Sequence, residues 1–172
     1  MRDFDYEGLL LATYQGKLFE KSHDLTCSSP VFIRRFLHSD LLKTLDKNDS
    51  VIFSLDPNEG IQSILNQYGD SSYGKVKYSK DSLFWMGYIY RYISYTRDEK
   101  TPFLIDLFDY RLMNDVYFSF HTQDPEWVIR SLLEIKHLDK NILDKNKRLK
   151  EIIRKQYENG SAFQSMSKSR SI

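Results

Sequence analysis

Five side chains in this sequence suit metal binding or nucleophilic chemistry: His23, His38, His121, His137 and Cys27. No histidine lies three or four residues from another, so no local pair shares a helix face as a zinc site would need. A single cysteine supports neither an internal disulfide nor a multi-cysteine metal cluster. The glycines are scattered, and the G-x-G-x-x-G, Walker, H-E-x-x-H, G-x-S-x-G and C-x-x-C spacings are missing. That removes the common phosphate loops, zinc-protease helices, hydrolase elbows and redox pairs. The expectation is a non-enzyme with no catalytic, metal-binding or cofactor-binding residue.

Two polar residues in apolar settings remain. His121 lies in Phe118-Ser119-Phe120-His121-Thr122-Gln123-Asp124-Pro125, just ahead of a helix start. It either contacts a partner or works as an acid or base, or its ring bonds nearby backbone and sets the turn. Arg91 sits in Tyr88-Ile89-Tyr90-Arg91-Tyr92-Ile93-Ser94-Tyr95. Arginine is rarely buried unless paired. It therefore either forms an internal ion pair with a distant carboxylate or joins a Tyr/Arg patch that anchors a partner. Tyr88, Arg91, Tyr92, Tyr95 and His121 are the candidate partner-binding residues.

The elements that must position these residues read as helices. Leu10, Leu11, Tyr14 and Leu18 recur at helical spacing between Asp5 and Ser22. Ser29-Pro30 starts a helix carrying Phe32, Ile33 and Phe36, with Ser29 as its cap. Leu41, Leu42 and Leu45 resume helical spacing after a break near Ser39. Asp56-Pro57-Asn58-Glu59 is a capping box, and its helix should stop at Gly69. Val51 to Leu55 reads as a short strand or extended connection, and Tyr73 to Tyr78 as a loop with room for a short strand. Ser79 caps the longest apolar segment, Lys80 to Arg97, which is apolar all round and so belongs in the middle of the fold. Helices follow from Pro102, over Tyr110 to Phe120, and from Asp124-Pro125. Leu138 to Glu158 is a basic amphipathic helix ending at Asn159-Gly160. The expected fold is a single all-α domain of about seven helices around the aromatic-rich segment, with or without a two-stranded ribbon. Its parts are a helical core over 1–137, the basic helix over 138–158 and a tail over 159–172.

The composition fits a folded chain of 172 residues with 41% apolar and 28% charged side chains, so disorder of the whole is excluded. Aromatic residues reach 15%, which supplies either a core with polar exits or a binding surface. Charge is uneven: from Asp139 onward nine Lys/Arg stand against four Asp/Glu, leaving 16 against 20 before it. A basic arm of this kind is either a solvated surface or a dock for nucleic acid or an acidic partner. No basic stretch followed by an apolar run opens the chain, and no run spans a membrane, so the expected location is cytoplasmic.

Several of these segments together resemble a family of small uncharacterised bacterial antitoxin-like proteins. The resemblance rests on Tyr73-Gly74-Lys75-Val76-Lys77-Tyr78-Ser79, Trp85-Met86-Gly87-Tyr88-Ile89-Tyr90-Arg91-Tyr92 and Tyr95-Thr96. Ser29 to Phe36 and His121-Thr122-Gln123-Asp124-Pro125 are also similar, so it covers roughly Tyr6 to Leu133. It departs at Ile93, where a typical member has another aromatic, and the basic segment after Leu138 looks like an extension. The family is associated with putative ADP-ribosyltransferase-like toxins. The resemblance implies neutralisation by direct binding, without a cofactor. The alternatives are a DNA- or RNA-binding regulator using the basic C-terminal helix, a phage-defence component, and an enzyme with dispersed residues around His121.

Overall fold

Apolar spacing and capping side chains together set out the helices. The computed structural model describes residues 2–47 and 56–136. Eight α-helices occur among the described residues: α1 (Tyr6–Lys21), α2 (Ser29–Leu37), α3 (Asp40–Leu45), α4 (Pro57–Tyr68), α5 (Lys80–Arg97), α6 (Thr101–Leu107), α7 (Tyr110–Phe120) and α8 (Pro125–Ile135). A 3-10 turn, Ser22–Asp24, follows α1, and no strand is present among the described residues. The protein is therefore all-α. Packing divides it into two compact units, 1–128 and 129–172. In the second, the described residues are 129–136, which complete α8 and the turn after it. The short strand or extended connection expected at Val51–Leu55, the basic helix over 138–158, the tail and the boundary after 137 lie outside the described residues.

Short polar side chains start most of these helices. Asp5 accepts from the Gly8 N–H at 3.0 Å, Ser39 from Leu42 at 3.1 Å and Ser79 from Ser82 at 3.1 Å. Asp56 and Glu59 complete the capping box. Each such cap is worth about 1 kcal/mol against alanine. α4 ends at Gly69 with φ +75°, a left-handed conformation that glycine adopts without a Cβ clash.

The loop reading of Tyr73 to Tyr78 holds, and the cap of α2 differs from the sequence expectation by one residue, for one reason. The segment from Tyr73 to Tyr78 forms no ribbon, because its polar backbone groups go to the start of α2. The Tyr73 and Val76 carbonyls accept from the Ser28 and Ser29 N–H groups at 3.0 and 2.9 Å, and the Tyr78 N–H donates to Ser29 Oγ at 3.0 Å. Ser28, not Ser29, then holds the cap position of α2, with no side-chain cap bond. The crossing segment thus supplies carbonyl acceptors for the N–H groups of the cap residue and the first helical residue.

Within the first unit, α1 and α5 run antiparallel at close range. Gly8 on α1 faces the Tyr95 ring and Gly16 faces Phe84. The Gln15 side-chain amide donates to the Gly87 carbonyl at 3.1 Å. Around this pair lie Leu11, Leu18, Phe19, Leu83, Met86 and Tyr90, all fully buried. Phe19 packs edge-on against Phe32 and Phe36 of α2, with ring centroids 5.6 and 5.1 Å away. The Tyr90 hydroxyl donates to the Phe108 carbonyl at the end of α6. Ser82 Oγ donates to Asn114 Oδ1 of α7 at 3.0 Å. α5 thus holds the central place in its unit that its apolar circumference predicted.

Burying tyrosine has a consequence for stability at alkaline pH. Burial, reinforced by the Glu59 and Asp56 charges, pushes the Tyr14 hydroxyl up to about 12. Burial and Glu126 do the same to Tyr92. Tyr90 and Tyr95 also rise, burial being the main cause. An unfolded tyrosine ionises near 10. The folded state keeps these protons longer, so stability is full below pH of about 10 and falls as pH rises through the folded values. The urea midpoint should therefore be flat from neutral pH up to about 10 and drop between about 10 and 12. Tyr14→Phe should make that drop shallower, since the hydroxyl is buried with no hydrogen-bond partner among the described residues. A midpoint independent of pH across that window contradicts this reading.

Candidate functional site

The five residues singled out from the sequence go to three different places. Arg91 is inside, with 0% of its side chain exposed. Its Nη1 lies 3.0 Å from Asp46 Oδ1 at the end of α3 and donates to the Leu45 carbonyl at 3.1 Å. Its Nε donates to Gln15 Oε1 of α1 at 2.9 Å. Asp46 also accepts from Thr101 Oγ1 at 2.9 Å, at the start of α6. Burial pulls the guanidinium down from its ordinary value, and the Asp46 charge opposes that. The internal pair is therefore the arrangement present, and Arg91 offers no surface to a docking partner. This corrects its place among the candidate partner-binding residues.

Tyr88, Arg91, Tyr92 and Tyr95 fall within about 100° of one another around α5, but the tyrosines make different contacts from Arg91. The three tyrosines converge on the Phe4 ring, with centroids 6.2, 4.4 and 6.2 Å away respectively. Tyr95 is buried, and its hydroxyl donates to Asp5 Oδ1 at 2.6 Å while the Arg2 guanidinium lies 3.9 Å from its ring centroid. That hydrogen bond, followed by the Gly8 N–H, holds the Asp5 carboxyl below its usual range. The Tyr92 hydroxyl donates to Glu126 Oε1 at 3.3 Å, and Arg97 pairs with the same carboxylate at 3.1 Å. These two tyrosines are occupied in fastening the first residues and the start of α8.

Tyr88 and His121 do meet, in one pocket. Its walls are Phe84, Trp85, Tyr88 and Ile89 of α5 and Tyr117 of α7, with Glu20, Asp81, His121, Gln123 and Pro125 also lining it. The cavity is about 550 Å³, within the roughly 300–1,000 Å³ typical of ligand sites. Trp85 and Tyr117 meet edge to face at 5.8 Å, and Phe84 stacks near Tyr88 at 6.3 Å. His121 ends α7 as its C-cap rather than opening the next helix. The sequence placed it by the Asp124-Pro125 start, but α7 runs unbroken up to it. Its Nδ1 lies 3.1 Å from the Tyr117 carbonyl, where the ring N–H donates, and its ring packs 4.7 Å from that of Tyr117. Next to it, Phe118 is 87% exposed.

Glu20 and Asp81 line the pocket together with His121, while no lysine or arginine does. Neither carboxylate makes a hydrogen bond or ion pair with another described residue. The Tyr117 hydroxyl is raised by burial and next by the Asp81 charge. No group of three His, Cys, Asp or Glu side chains among the described residues is placed to hold a metal. No helix among them is long and apolar enough to cross a membrane. Sequence reading missed Glu20, Asp81, Phe84, Trp85 and Tyr117 as site residues. The i, i+4 pairs Phe84/Tyr88 and Tyr117/His121 were the available signal, since that spacing puts each pair on one face. Comparison of the chain with protein-family models, curated proteins and solved structures finds no match.

Proposed function

We propose that this chain is a non-catalytic protein-binding module, an antitoxin or regulator that neutralises a partner toxin by direct binding. The observation that carries the binding reading is the open aromatic pocket, with the exposed Phe118 ring beside His121. Anchor residues at protein interfaces are drawn from tyrosine, tryptophan and arginine, seated in pockets that exclude water. Scattered apolar side chains need no partner, but a solvated phenylalanine next to an aromatic pocket is a contact surface. The resemblance to antitoxin-like proteins supplies the identity of the partner, an ADP-ribosyltransferase-like toxin. Neutralisation would follow from covering the toxin's cleft.

Co-expression with an ADP-ribosyltransferase-like toxin should restore growth and give a stoichiometric complex. Phe118→Ala and Tyr88→Ala should each weaken that complex about tenfold to thirtyfold, as interface anchors do. Absence of both rescue and complex rejects the antitoxin reading. Retention of nucleic acid alone, lost steeply with salt, would move the function to the basic segment after Leu138.

A further inference from the structure

We infer that the pocket between α5 and α7 receives a cationic side chain, arginine or lysine, carried by the partner protein. This rests on the protein-binding reading above and adds the chemistry of the group that is bound. Four rings, those of Phe84, Trp85, Tyr88 and Tyr117, wall the cavity. The face of an aromatic ring carries negative electrostatic potential and attracts a cation, tryptophan and tyrosine especially. Glu20 and Asp81 add two carboxylates that no described cation neutralises. Two like charges at one cavity repel, and a bound cation relieves both at once. An anionic ligand would meet charge of its own sign at Glu20 and Asp81.

Size and polarity complete the match. A volume of about 550 Å³ admits a whole long side chain, with its methylene stem against Ile89 and Pro125. His121 directs its Nδ1–H to the Tyr117 carbonyl. Arginine's five donors and planar face suit stacking between rings and carboxylates, and lysine's ammonium suits the same charge with less stacking.

The test uses the full chain and small probes, following the Trp85 indole N–H signal by NMR, assigned with Trp127→Phe. The probes are N-acetyl-arginine-N-methylamide and its lysine analogue, their neutral citrulline and norleucine counterparts, and tetramethylammonium chloride. At least one charged side-chain probe should shift the signal saturably and bind about tenfold tighter than its neutral counterpart. The Glu20→Gln/Asp81→Asn variant, with its melting curve as a check on folding, should lose about tenfold in that affinity. Equal binding of neutral and charged probes, or no loss in the double variant, overturns the inference. So does the absence of saturable binding by either charged side-chain probe. Tetramethylammonium binding about tenfold tighter than both side-chain probes overturns it in favour of a free small cation. The probes need no partner, so cation binding that survives alongside failed toxin capture rejects the protein-binding reading and, with it, only the partner's share of this one. A toxin complex left unchanged by Glu20→Gln/Asp81→Asn rejects this inference alone.

Discussion

Arg91→Ala is expected to lower the unfolding free energy by about 3–5 kcal/mol, the range found when one partner of a buried ion pair is removed. Asp46 would keep only its Thr101 bonds, Gln15 Oε1 would lose its donor, and the Leu45 carbonyl would lose another. The truncated side chain also leaves a hole, since the arginine is fully buried. Against a total of about 5–15 kcal/mol for an ordinary domain, that loss populates the unfolded state visibly. Asp46→Asn keeps the shape and removes the charge, and should cost less than Arg91→Ala. In a double-mutant cycle with Arg91→Met the two changes should be strongly non-additive, because each removes the same interaction. Urea denaturation of the single and double variants decides it. A loss under about 1 kcal/mol for Arg91→Ala would show that the pair contributes no more than an exposed one.

Gly87→Ala should destabilise by about 1–3 kcal/mol, although alanine is the better helix former by about 1 kcal/mol. A Cβ on Gly87 would come 2.6 Å from the Gln15 carbonyl oxygen and 3.0 Å from the Phe19 ring. The first neighbour is backbone and cannot swing away, so α1 and α5 must move apart. Moving α1 also displaces Gln15, which bonds Gly87 and Arg91. The Gly87→Ala effect should therefore couple to Arg91→Ala instead of adding to it. Thermal melting of Gly87→Ala beside Gly16→Ala is the comparison. At Gly16 the nearest groups are the Phe84 ring and carbonyl at 3.0 Å, a less severe overlap. A melting temperature equal to or above that of the parent would show that the helices separate without cost.

Legibility in the sequence followed the range of the interactions. The bounds of α5, the capping box at Asp56 and the stop at Gly69 were readable, because caps and periodicity act within a turn or two. The absence of a ribbon at Tyr73 to Tyr78 was not, since its hydrogen bonds go to Ser28 and Ser29 more than forty residues away. Arg91's anomaly was visible, as an arginine among apolar neighbours, but the choice between interior and surface needed Asp46 and Gln15 in space. His121 was found for its setting, yet its partners in the pocket come from α1 and α5 as well as α7. No local pattern brings Glu20, Asp81 and Tyr117 to one cavity.

The pairing of α1 with α5 also sets a schedule during synthesis. The Gln15–Gly87 contact joins residues 72 positions apart. A ribosome adding about 5–20 residues per second needs roughly 4–14 s to cover that distance. For that interval the stripe of α1 that α5 will cover has left the ribosome without its own partner. α2 and α4 are made in between, and they are the helices of this unit that reach Phe19 and Tyr14 first. The order of the helices along the chain thus gives the earliest helix two of its lasting neighbours before α5 exists.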